Sequence, residues 1–221
     1  LGYLKRMGVT AIWISPVLKQ VAFEETYHGY GTQNFLDIDP HFGSKEDFIS
    51  LVKTAHEMEM YVILDIIVNH SGDVFSYRKA QPKWRKMFPH KMKGFNDKNG
   101  KPTIPPYSKP PHEKAWPDGS VWPQELQDPN TFTRRGRIQN WDRYPEYIQG
   151  DFFKLKNHYL GKGKTQQFKP SRALKTLTQV YKYWIALADI DGFRLDTVKH
   201  MWPGAVKYFV SEIHDFARSI G

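Results

Sequence analysis

Arg194 and Asp196 stand two residues apart in the run Asp191-Gly192-Phe193-Arg194-Leu195-Asp196-Thr197-Val198-Lys199-His200. Residues two apart on a strand project from one face, so a strand over 190–196 holds the guanidinium beside the carboxylate. A nearby positive charge keeps a carboxylate ionised, and that is the state a carboxylate nucleophile needs. The same spacing also serves a structural Arg–Asp pair, with Lys199 and His200 on a solvated loop. A second run, Tyr61-Val62-Ile63-Leu64-Asp65-Ile66-Ile67-Val68-Asn69-His70, bears on the choice. It is apolar and β-branched, as in a parallel strand covered on both faces, yet it contains Asp65. A buried carboxylate is costly unless paired, and Arg194 on a neighbouring strand supplies the charge. Asn69 and His70 then fall where the strand ends, the place where parallel α/β folds build sites. The alternative is an edge strand with a tolerated Asp.

These residues need elements to position them, and the periodicity supplies candidates. Ala11–Val17, Tyr61–Val68 and Ile190–Asp196 read as strands. Ser44 caps a helix through about Met58, with Asp47 three residues on as its capping-box partner. Ser171 caps a second helix whose Leu174, Leu177, Tyr181, Trp184 and Ala188 share one face. Pro203 suits the first turn of a third, with Val206, Val210, Ile213 and Ala217 directed inward. Strand, helix, strand, helix, strand predicts a parallel α/β sheet with right-handed crossovers. A (β/α)8 barrel and a doubly wound sheet both satisfy that pattern. Residues 71–170 interrupt it with 12 of the chain's 15 prolines and 4 of its 7 tryptophans.

Composition sets broader limits. The 221 residues carry a net charge of +9. Residues 71–170 hold 20 Lys and Arg against 9 Asp and Glu, so the excess lies in the interruption. These cations are scattered among Pro, Gly and Trp without a nucleic-acid-binding motif, and a solvated surface is the favoured reading over nucleic acid. No 18-residue apolar run marks a membrane span. There is no Cys, which excludes disulfides and thiolate metal sites. Leu1–Gly8 reads as the tail of a helix and Gly221 follows another, so both ends look cut from a longer chain. Glu125, Asp128 and Glu146 read as ordinary surface acids. Tyr30 in its Gly-flanked turn is either a surface aromatic or a ligand platform.

The two runs, together with Tyr27-His28-Gly29-Tyr30, Ala11-Ile12-Trp13-Ile14-Ser15-Pro16 and Asn34-Phe35-Leu36-Asp37-Ile38-Asp39-Pro40-His41-Phe42-Gly43, resemble the alpha-amylase family, glycoside hydrolase family 13. The Asn69-His70 pair and Arg194-x-Asp196-x-x-Lys199-His200 match two of its motifs. The resemblance runs from residue 1 to about 75 and from about 138 to the end. It implies an α/β fold of partial (β/α)8 type, about strands two to four. Residues 1–70 and 171–221 would be catalytic barrel, and residues 71–170 a small domain inserted after strand three. Three strands do not close a barrel that typically needs at least ~200 residues, so this piece is expected to depend on further chain.

The resemblance also implies an activity: retaining hydrolysis of α-1,4-linked glucans such as starch or maltooligosaccharides. Asp196 would be the nucleophile and Arg194 its orienting partner. His70 would hydrogen-bond the sugar at the cleavage point, Tyr30 would stack on it, and Lys199 and His200 would meet the leaving-group side. Asp65 and Asn69 would support the site. The general acid of the family is a Glu after strand five and a further Asp follows strand seven, so residues 1–221 alone are expected to be inactive. An α-glucan transglycosylase and a catalytically dead saccharide-binding relative are the alternatives. No cofactor is required. A calcium is possible, with Asn69 and Asp142 aligning with two of its ligands and Asp151 as a substitute acid. Lys154 in place of the next acid disfavours the ion and resembles the neopullulanase and cyclomaltodextrinase branch. The expected partner is an α-glucan, with neither nucleic acid nor membrane. Secreted or periplasmic placement is favoured over cytoplasmic.

Overall fold

The computed structural model describes residues 1–103 and 118–220. The chain opens with a short helix α1 (Gly2–Arg6) and strand β1 (Ala11–Ile14). β1 stops before Pro16, short of the expected Val17, because proline has no N–H to give to a ladder. A hairpin of β2 (Leu18–Gln20) and β3 (Thr32–Ile38) follows. Helix α2 (Lys45–Glu57) starts at Ser44, whose hydroxyl accepts from Asp47 N at 3.1 Å while the Asp47 carboxylate accepts from Ser44 N at 2.8 Å. That is the reciprocal cap expected from the sequence.

Strand β4 (Tyr61–Ile66) is the structural centre. It is flanked on one side by β1 and on the other by β12 (Gly192–Leu195), both parallel to it. The Asp65 run is therefore a central strand and not an edge. Its register places Arg194 opposite Asp65, and Asp191 at the other end accepts from Val62 N at 2.7 Å. The parallel sheet is an open arc of three strands, with β1 and β12 at its edges.

Between β4 and β12 the chain leaves the parallel sheet. β5 (His70–Ser71) pairs antiparallel with β9 (Lys156–Asn157), and β6 (Phe75–Tyr77), β7 (Met92–Asn96) and β8 (Pro102–Thr103) form a small antiparallel sheet. A one-turn helix α3 (Glu146–Gln149) and the pair β10 (Gly161–Lys162) with β11 (Lys169–Pro170) complete this segment. Its apolar centre is Phe75, Phe95 and Phe132, stacked edge to face, and it joins the core under the parallel sheet. Trp116 lies outside the described residues.

Helix α4 (Arg172–Ala188) is capped by Ser171, which accepts from Leu174 N at 3.1 Å. Leu174, Leu177, Tyr181, Trp184 and Ala188 are all buried, as their spacing predicts. Trp184 also donates its indole N–H to Phe35 O at 2.8 Å and stands edge-on to Phe48. Helix α5 (Pro203–Ile220) departs from expectation. Its buried residues are Gly204, Ala205 and Phe209, while Val206 and Ile213 are half-buried, Ala217 is exposed and Val210 is 42% exposed. The helix carries two adjoining apolar stripes. The aromatic one wins because Phe209 meets Tyr181 edge-to-face at 5.8 Å and Lys182 pairs with Glu212 at 2.6 Å. Among the described residues, no helix is long and apolar enough to cross a membrane.

The two faces give a test by urea denaturation. Phe209→Ala should lower stability by about 3–5 kcal/mol, the cost of emptying a packed aromatic site. Val210→Ala should change it by less than about 0.5 kcal/mol, as expected of a surface position. Equal losses would mean that α5 packs through the Val210 stripe after all.

Candidate active site

The site forms where β4 and β12 end. Arg194 reaches across the strand boundary, its Nη1 lying 3.0 Å from both carboxylate oxygens of Asp65 and 2.7 Å from Asp196 Oδ1. Tyr30 donates its hydroxyl to Asp65 Oδ2 at 3.1 Å and accepts a longer contact from Arg194 at 3.5 Å. The two alternatives left by the spacing thus merge: Arg194 and Asp196 are paired, and the pair belongs to a larger network. Asp65 is buried, and burial raises its carboxyl pKa against the opposing pull of Arg194. Burial works against the Arg194 charge, but Asp65 and Asp196 outweigh it and raise its pKa. Beneath the guanidinium lies the Trp13 ring, 5.3 Å from its carbon, a cation–π contact.

Tyr30 is brought there by the Gly-flanked turn expected from the sequence, held by a residue, Gln20, that the sequence did not mark. Gln20, buried, donates to Leu18 O and to Gly29 O and accepts from Gly31 N at 2.7 Å, closing the loop from both ends. Gly29 sits at φ +81°, where an added Cβ would meet Pro16 O at 2.3 Å, so no other residue fits. Burial, then the Asp65 charge, raises the pKa of the Tyr30 hydroxyl and holds it protonated as a donor.

His70 begins β5 and is buried beside Phe152, whose ring lies 5.2 Å away. Its Nδ1 faces the Asn69 amide at 3.4 Å. Nε2 makes no hydrogen bond of ordinary geometry among the described residues, although the Tyr30 backbone lies beside it. Burial, followed by the nearby His158, pushes the His70 pKa down to about 3. His158 itself, pushed by burial to about 4, bridges the two halves of the chain through Val68 O at 2.9 Å and Ser71 Oγ at 2.7 Å.

Lys199 and His200 occupy a single 3-10 turn just past β12. Lys199 pairs with Asp142 at 2.9 Å on the surface. His200 Nδ1 meets Tyr147 O at 2.6 Å, and its ring packs edge-on to Phe152 at 4.7 Å and Trp141 at 5.6 Å. Phe152 therefore joins His70 to His200, a role no motif announced. Glu146, expected as a surface acid, is fully buried. Its carboxylate accepts from Gln139 N at 2.6 Å, Asn140 N at 3.0 Å and Arg143 Nε at 2.8 Å. It pins the turn that carries Trp141 and Asp142. Burial opposes that charge, but these bonds lower its pKa nonetheless.

The residues aligned with calcium ligands are committed elsewhere. Asp142 is taken by Lys199, and Lys154 pairs with Glu24 at 3.1 Å. Asp151 is buried, accepting from Tyr77 OH and from Asn157 N at 3.0 Å. Among the described residues no three His, Asp or Glu side chains gather as a metal site.

The buried imidazoles predict a pH dependence of stability. An unfolded histidine titrates near 6.5, above both folded values, so the unfolded chain binds protons that the fold excludes. Their contribution is complete above about pH 6.5 and is lost as pH falls toward the folded values of about 3 and 4. The urea midpoint should drop between about pH 7 and pH 4, and a His70→Gln, His158→Gln variant should show a flatter profile. Identical slopes for the two proteins would contradict neutral burial.

The arrangement has relatives. The model of the alpha-amylase catalytic domain matches residues 1–217. The chain is 29% identical to an alpha-amylase of Streptomyces lividans, over 91% of this chain and 23% of that protein. It is 29% identical to a cyclomaltodextrin glucanotransferase of Klebsiella oxytoca, over all of this chain and 29% of that protein. Among solved structures, the alpha-amylase of Geobacillus thermoleovorans in complex with acarbose superimposes with a TM-score of 0.62 at 26% identity, over 97% of this chain and 36% of that one. The chain thus spans roughly a quarter to a third of the length of these relatives. The open arc of parallel strands is part of a (β/α)8 fold, and the chain belongs to the alpha-amylase family of glycoside hydrolases.

Proposed function

We propose that these residues form the nucleophile half of a retaining α-glucan hydrolase, with Asp196 as the nucleophile. The observation that carries this reading is the set of contacts made by Arg194 Nη1. This nitrogen holds Asp196 Oδ1 at 2.7 Å while also contacting Asp65 and Tyr30, so the Asp196 carboxylate is oriented beside a cation, and its Oδ2 has no hydrogen bond among the described residues. A retaining mechanism needs that carboxylate to attack the anomeric carbon and a second carboxyl about 5 Å away to protonate the leaving oxygen. Asp65 is unsuited to the second task, being buried and bonded through both oxygens. We therefore assign the proton donor to a Glu outside the Arg194 network.

In this reading Tyr30 offers its ring to the apolar face of the sugar, and His70, buried in this structure, meets a sugar hydroxyl only once its Nε2 is uncovered. His70 stays neutral there, since burial opposes its protonation. His200 and Lys199 border the leaving-group side, and Asp65 and Asn69 support the site from beneath. Residues 1–70 and 171–221 then act as barrel, and 71–170 as the wall of the cleft. Transfer to an acceptor sugar is the second reading, favoured by the likeness to a cyclomaltodextrin glucanotransferase. The same intermediate serves both.

The test compares wild type and Asp196→Ala in the full-length protein carrying this chain. On maltooligosaccharides, proton NMR should show α-anomer as the first product. The variant should lose activity on the order of 10⁴-fold or more, as when a nucleophile is removed from other covalent catalysts. Initial release of β-anomer, or an active variant, would refute the assignment. We further propose that no calcium is held near Asn69, Asp142 and Lys154. Chelation should then leave the melting temperature within about 2 °C, whereas a ligand lost from a tight site would cost several kcal/mol and a larger shift.

A further inference from the structure

Phe152, which packs against His70 and His200, also lines an open hollow of about 360 Å3 in the inserted segment. Phe75 and Tyr77 of β6 and the segment from Asp151 to Lys156 contribute to its walls. Five cationic side chains line it, Arg78, Lys93, Arg137, Lys154 and Lys156, against two carboxylates, Asp73 and Asp151. Lys156 is only 8% exposed, ion-paired with Asp73, and its ammonium lies 5.2 Å over Phe75 and 5.5 Å over Tyr77. Asp151 is buried, accepts from Tyr77 OH and Asn157 N, and is held below the surface of the cavity wall. Lys154 is answered by Glu24. Arg78, Lys93 and Arg137 have no acidic partner among the described residues. Arg137 instead lies 4.9 Å over the ring of Phe153, which is 53% exposed.

A convex, solvated surface spreads its lysines apart. Here cations from four separated stretches of chain converge on one concavity, where field lines focus and like charges repel. That arrangement gains stability when an anion enters. A guanidinium fork matches an oxyanion in geometry as well as charge, and the exposed Phe153 ring beside it offers an apolar face to a sugar. A neutral glucan would use the ring but leave the cations unanswered.

We propose that this cavity is an oxyanion subsite that accepts the phosphate ester of a phosphorylated α-glucan lying in the neighbouring cleft. The saccharide part rests on the α-glucan reading given above, whereas the oxyanion part stands on the cavity alone. The scattered basic charge of residues 71–170 is then in part a binding feature and not only a solvated surface.

The experiment uses the full-length protein with Asp196→Ala, which prevents turnover. Glucose 6-phosphate, inorganic phosphate and glucose are titrated calorimetrically into this protein and into one that also carries Arg78→Ala, Lys93→Ala and Arg137→Ala. These three side chains line an open cavity, so the added changes should leave the melting temperature unaltered. Glucose 6-phosphate should bind more tightly than inorganic phosphate, and at least tenfold more weakly to the triple variant. Its affinity should also fall as salt rises from roughly 0.05 to 0.5 M, where screening shortens the reach of charge. Binding unchanged by the triple variant, or no binding, overturns the subsite, and equal affinity for inorganic phosphate overturns the ester assignment. With Asp196 intact, kcat/KM should favour a phosphorylated maltooligosaccharide over its dephosphorylated form, and the triple variant should lose only that preference. If neither saccharide is cleaved, the α-glucan reading fails while the titration still judges the cavity.

Discussion

One guanidinium organises this structure. Asp65 sits on the central strand in a nearly continuous apolar run, where an unpaired carboxylate would cost several kcal/mol. Arg194, opposite it in the parallel register, contacts both of its oxygens and reaches on to Asp196. The requirement fixes more than a pair of side chains. A slip of one residue between β4 and β12 would turn Arg194 to the other face and leave Asp65 without a cation. Sheet register, burial of Asp65 and presentation of Asp196 are therefore one constraint. Tyr30, bonded to the same carboxylate, ties the loop after β2 into it.

The inserted segment is joined to this centre by neutral contacts. His158 bonds Val68 O and Ser71 Oγ, and the ring of Phe152 spans His70 and His200. Burial disfavours the charged form of His158 and keeps this imidazole deprotonated. Five cations of the segment line the cavity to which Phe152 also contributes. Charge is thus divided, with one guanidinium shared by two carboxylates at the strand ends and a basic concavity beside it.

What could be read from the sequence was what local chemistry determines. Ser44 with Asp47 and Ser171 announced their helices because the capping partners lie within one turn. The α4 face was legible because five buried residues repeat at helical spacing. The Asp65–Arg194 pairing was inferred because a carboxylate in an apolar run demands a partner and few candidates exist. The α5 face was misread, because two stripes of similar hydrophobicity adjoin and only Tyr181, from another helix, selects between them. Glu146 looked like a surface acid because its partners are mainly backbone amides of a turn that periodicity does not describe. Gln20 was missed for the same reason, since its bonds to Gly29 and Gly31 depend on a loop whose path no motif encodes. Asp142 and Lys199 lie 57 residues apart, and their pairing on the surface carries no sequence signal.

The central claim is that the Arg194 network presents Asp196, and not Asp65, to the anomeric carbon. A fluorinated α-glucosyl fluoride that slows breakdown of the glycosyl-enzyme would capture the nucleophile in the full-length protein, and peptide mass spectrometry would locate it. The label is predicted on the peptide containing Asp196, through an ester at that carboxylate. Labelling of Asp65 or of any other carboxylate, in an active enzyme with Asp196 unmodified, would contradict the account.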